Sequence, residues 1–159
     1  MKQGLWLLIT LLAALTLQST VLDCFRVAGV KPDLVLLVII FNSFRQGSKS
    51  GALWGFAAGL LVDISTGCYF GLNALALAAA GYLAGEAKTG LYLNSNIRVA
   101  TVTLAVSLAA GVLQYLLLAF SGVFVSPWLA LGIIIPGALY NTAVALLIKL
   151  FYHPKMLFD

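Results

Sequence analysis

The sequence predicts an all-α, polytopic membrane protein of six transmembrane helices. Three observations carry this. The chain has 159 residues, of which 62% are hydrophobic and 9% charged. A soluble domain carries roughly 25% charged residues, and so small a globule leaves too much surface exposed to hide this much apolar side chain. Charges and turn residues cut the chain into six apolar stretches. The basic residues sit between those stretches, where topology signals belong, rather than on one polar segment. This arrangement predicts a single domain, residues 1–159, with membrane lipid as its surroundings and no nucleic-acid partner.

The first span is read at residues 3–22. Lys2 followed by an apolar run resembles a signal peptide, but the run from Gly4 to Leu22 is long enough to cross a bilayer, and no small-residue cleavage site ends it. The second span, 32–44, opens at Lys31-Pro32-Asp33. Proline suits a first helical turn, and Asp33 is favourable at the positive end of a helix dipole. This span covers only about 20 Å, so it must extend at one end or lie where the bilayer is thin. The remaining spans are read at 50–65, 72–87, 98–121 and 127–151. Segments 23–31 and 88–97 are the longer connections; the other three are short enough to make their helices antiparallel neighbours.

With Lys2 inside, seven basic residues fall on the inner side (Lys2, Arg45, Lys49, Lys88, Arg98, Lys149, Lys155) and two outside (Arg26, Lys31). That bias puts both termini in the cytoplasm. Cys24 and Cys68 then share the outer side, where a disulfide is chemically permitted, although two separate thiols fit the sequence as well.

Glycines recur at four-residue spacing in the third span, at Gly51, Gly55 and Gly59, and again in the fourth at Gly81 and Gly85. Small residues at this spacing let helix backbones approach closely in a bilayer. The two spans can pack on each other, or one glycine face can dock a partner helix. Asp63 falls where the next glycine would be. An ionisable residue within a span usually faces the bundle interior or water. It can cap the outer turn through the backbone around Ser65 and Thr66, or line a polar pocket with Gln18, Asn73 and Gln114. If hydrogen bonding rather than charge is its role, asparagine should replace it better than alanine. Asn42 and Asn141 are expected in the inner half. Pro136 is expected to kink the sixth span, with Tyr140 and Asn141 one turn later.

Catalysis finds little support. His153 is the lone histidine and lies at the opposite end of the membrane from Asp63 in this topology. No metal-ligand spacing and no phosphate-binding loop occurs, so no catalytic residue, metal or cofactor is expected.

Three stretches carry a resemblance: KPDLVLLVIIF, GFAAGLLVDISTGCYFGLNALALAAAGYLAG and IIIPGALYNTAVALLI. They resemble the rod-shape-determining membrane protein MreD family of bacteria. The family pattern G-F-x-x-G-L-x-x-D, a polar turn, then G-x-x-A-L fits Gly55, Phe56, Gly59, Leu60, Asp63, Gly71, Ala74 and Leu75. Its approach to the second span fits Lys31, Pro32, Asp33 and Leu34, and its final span fits Pro136, Tyr140 and Asn141. The resemblance implies a non-enzymatic part of the cell-wall elongation machinery in the bacterial cytoplasmic membrane. It would work with MreC and, directly or indirectly, with MreB, the polymerase RodA and a class B penicillin-binding protein. Asp63 would fix the outer turn. The family also resembles, in fold, the substrate-binding S components of vitamin transporters, which makes a small-molecule binding subunit the alternative function.

Overall fold

The computed structural model describes residues 2–20, 30–67, 70–90 and 95–151. Among them run six helices: α1 (Lys2–Thr20), α2 (Leu34–Gln46), α3 (Ser48–Thr66), α4 (Leu72–Gly90), α5 (Ser95–Phe120) and α6 (Pro127–Phe151). Cys24, Arg26, Cys68 and His153 lie outside the described residues.

The α5 and α6 helices are long and apolar enough to cross a membrane, and α1 and α2 are shorter apolar helices. At 1.5 Å per residue α5 spans about 39 Å, more than the ~30 Å of a bilayer's hydrocarbon. Leu116, Leu129, Leu131, Ile133, Ile135 and Leu139 point outward. In water such a surface would aggregate; against acyl chains it needs no cover.

The shortest apolar helix sits at the centre. α2 touches every other helix, and Val35, Leu37, Ile39, Ile40 and Phe44 are essentially without solvent contact. A helix apolar on all sides belongs inside a bundle. The α3–α4 hairpin packs on one side of it and α5–α6 on another, with α1 against α2. Its shortness is set by how the chain enters it. Pro32 is not in the first turn; it is fully buried ahead of the helix, and Asp33 is the N-cap, its carboxylate accepting from Leu36 N–H at 3.0 Å. The chain therefore reaches α2 as extended backbone inside the protein. At its other end α2 passes to α3 through one residue, Gly47, whose φ of +85° disfavours an L side chain.

The tightest interface is α3 on α4. Gly51 faces Gly81, Gly55 faces the Leu77 carbonyl, Gly59 faces Asn73 and Ala74, and Gly85 faces Ser48. All five are buried. At each position a single added methyl would run into backbone, which cannot turn aside as a side chain can. The glycine faces are thus occupied within the chain.

This contact is testable with alanine, the smallest step. Gly55→Ala and Gly59→Ala should each lower stability by about 1–3 kcal/mol through overpacking. Gly132→Ala, on α6 with open space around it, should be neutral or slightly stabilising, as alanine usually is in a helix. Thermal unfolding of the three purified variants in one detergent checks the contrast; equal behaviour would contradict it.

Candidate functional site

The hairpin ends on a charged group. Asp63 stands in the last turn of α3 and is fully buried. Its own carbonyl accepts from Gly67 N–H at 3.0 Å, and Gly67 closes the helix at φ +66°. The chain then turns back, and α4 begins with its first helical bond from Leu75 N–H to the Gly71 carbonyl at 3.0 Å. That leaves the amides at the start of α4 without helical acceptors. A Ser, Asp or Asn at the N-cap would normally supply one, but Gly71 has no side chain. Asp63 supplies it from the neighbouring helix.

Each carboxylate oxygen accepts two bonds. Oδ2 accepts from Gly71 N–H at 2.8 Å and Ala74 N–H at 3.2 Å; Oδ1 accepts from Asn73 N–H at 3.1 Å and Asn73 Nδ2 at 2.9 Å. All four partners are donors, which suits an ionised carboxylate, and the positive end of the α4 dipole favours the negative charge. The described donors come from the start of α4, not from Ser65 and Thr66. Those hydroxyls donate to main-chain carbonyls within α3, Ser65 to Leu61 and Thr66 to Val62. Asn73 Oδ1 in turn accepts from Gln114 Nε2 at 2.8 Å, so one polar chain links α3, the start of α4 and α5.

A second polar cluster holds the start of α2. Asp33 N–H donates to Asn141 Oδ1 at 2.8 Å, and Asn141 Nδ2 donates to Ser107 Oγ at 3.3 Å. Gln18 Oε1 accepts from Val35 N–H at 3.4 Å. Ser107 and Asn141 lie near the middle of α5 and α6, so non-helical backbone enters the bundle at mid-depth. Such backbone is tolerated within a membrane only where protein buries it and satisfies its polar groups, which is what Asn141 does for Asp33. Seven residues separate Ser107 from Gln114 along α5, placing the two clusters about 10 Å apart in depth.

The structure therefore divides the expected pocket. Asp63, Asn73 and Gln114 come together; Gln18 joins Asp33 instead. Asn141, expected in the inner half with Asn42, sits level with the start of α2, because its partner there is a buried amide 108 residues away. α6 stays helical through Pro136, and Tyr140 is half-buried beside Asn141. Ser107 was not foreseen; a lone serine among alanines and leucines carries no signal until a partner is known. Among the described residues no three His, Cys, Asp or Glu side chains are grouped to hold a metal. The arrangement braces helices.

The geometry favours the charged alternative for Asp63, in which asparagine is no better a substitute than alanine. The amide nitrogen of asparagine would face two donors already in place. Asp63→Asn and Asp63→Ala should both lose about 3 kcal/mol, the scale of leaving buried donors unpaired at a charged acceptor. Thermal unfolding would decide, and an asparagine variant as stable as wild type would refute the assignment. Asn141→Leu should cost about 1–3 kcal/mol by orphaning the Asp33 amide, measured in the same way, whereas Thr101→Val, at an exposed position of α5 whose hydroxyl donates to carbonyls of its own helix, should cost less.

A family model described as rod shape-determining protein MreD matches residues 1–157. No curated protein matches the chain, and no solved structure does.

Proposed function

We infer the role of this chain from one premise: it belongs to the MreD family. It is a non-enzymatic, rod shape-determining membrane protein of the cell-wall elongation machinery. Beyond that, we propose that all six helices cross the cytoplasmic membrane with both termini inside, as the distribution of basic residues supports. We further propose that the bundle is a scaffold. It contacts MreC and, directly or through it, MreB, RodA and a class B penicillin-binding protein.

The observation that carries the scaffold reading is where the polar side chains go. The side chains of Asp63, Asn73, Gln114, Asn141 and Ser107 are engaged in bonds between helices, Asn141 with the Asp33 amide. A small-molecule binding subunit needs convergent polar groups facing a common cavity. Asn73 and Gln114 do line one cavity, of about 430 Å³ and otherwise mostly apolar, but they bond to each other and Asn73 to Asp63, while Asn141 and Ser107 lie at another depth and bond to each other and to the Asp33 amide. A braced bundle of this kind offers partners a fixed surface. Because the α3–α4 glycines are filled internally, partner contacts fall on the outward faces of the helices.

Depleting the protein in its native cell, in vitamin-replete medium, tests this. Rods should widen and round up within a few generations when imaged. Rods of unchanged width would overturn the scaffold reading and redirect attention to a bound small molecule.

A further inference from the structure

A groove runs between α1 and α2 and reaches the far end of α6. It encloses about 310 Å³ and is lined by Leu7, Thr10, Ala14, Leu34, Phe41 and Ile148 among others, with Asn42 and Arg45 at one end. Its chemistry is graded along its length. Arg45 is exposed at the mouth. One turn deeper, Asn42 is only 4% exposed. Its Oδ1 accepts from Gln46 Nε2 at 2.8 Å, but its Nδ2 is buried without a hydrogen-bond partner. Beyond Asn42 the walls are apolar apart from Thr10, whose hydroxyl donates to the Leu7 carbonyl.

We propose that this groove binds one anionic glycerophospholipid from the leaflet on the Arg45 side. The fit rests on three features. A phosphate at Arg45 meets a permanent cation whose planar group suits phosphate oxygens. The ester carbonyls of such a lipid lie one glycerol unit below its phosphate, and Asn42 stands on the same helix face as Arg45, about 4.5 Å deeper. Its unpaired N–H gains an acceptor there, and a buried donor left unpaired is unfavourable. Finally, Leu34 lies eleven residues from Arg45, about 16 Å along the helix. That is close to half of a ~30 Å hydrocarbon core, so the groove follows one acyl chain through one leaflet. The inference does not depend on which side of the membrane is cytoplasmic, nor on the scaffold reading. It gives α1, which packs chiefly against α2, a lipid that fills its loose side.

Native mass spectrometry of the full-length protein tests this. The protein is extracted from bilayers holding equal amounts of phosphatidylglycerol and phosphatidylcholine with identical acyl chains. Wild type should retain phosphatidylglycerol preferentially. Arg45→Gln, at an exposed side chain, should cut that preference about fivefold, the effect of one interfacial basic residue. Lys49→Gln removes a neighbouring exposed charge that does not line the groove, and it should leave the preference intact. Thr10→Trp, which fills the groove from the exposed side of α1, should reduce retention of both lipids. Equal retention of the two lipids by wild type, as expected for a groove that holds a partner helix, would overturn the proposal. So would equal losses in Arg45→Gln and Lys49→Gln, the sign of diffuse surface charge.

Discussion

Everything in this bundle is arranged around two backbones in contact. α3 and α4 meet through glycine over most of their length, and so close an approach leaves no room for a side chain to adjust. It has a consequence at the turn. The chain must reverse within a few residues and start α4 directly beside α3, where glycine at the N-cap cannot satisfy the new helix's amides. Asp63 resolves this from the other helix by taking the donors of Gly71, Asn73 and Ala74. Close packing and the buried carboxylate are therefore one device: the glycines bring the start of α4 within reach, and the carboxylate fixes the register between the two helices.

The same logic, satisfying buried backbone from a distant helix, places α2. Its non-helical approach lies at mid-depth, held by Asn141 from α6 and Gln18 from α1. Through Gln114 and Ser107, α5 is tied to both clusters. Dispersion alone packs helices in lipid without a strong preference of register; these directional bonds select one. For a member of a shape-determining family, a bundle with one arrangement is a useful property.

The glycine pattern was legible because a four-residue period is a local property, readable without knowing the partner. The burden on Asp63 was half legible. Its place at the end of the period marked it as a turn residue. Its partners stayed hidden, because Gly71 and Ala74 contribute backbone amides, which every residue has. That the same carboxylate needs both oxygens, and so excludes asparagine, follows only from the geometry. The partnership of Asn141 with the start of α2 was not legible, because Pro32 and Asp33 precede that helix inside the protein. The shortness of that span was visible in the sequence, and its cause was not, since a contact spanning 108 residues leaves no local trace.

The most direct test of the central claim is amide hydrogen exchange in the segment that begins α4, in lipid nanodiscs, compared between wild type and Asp63→Ala. The amides of Gly71, Asn73 and Ala74 have no helical acceptor, so any protection they show must come from outside α4. The account predicts slow exchange at these three in wild type. In the variant they should exchange fast, while amides in the middle of α4 change less. Fast exchange in wild type, or the same slow exchange in the variant, would contradict the claim that Asp63 holds the hairpin together.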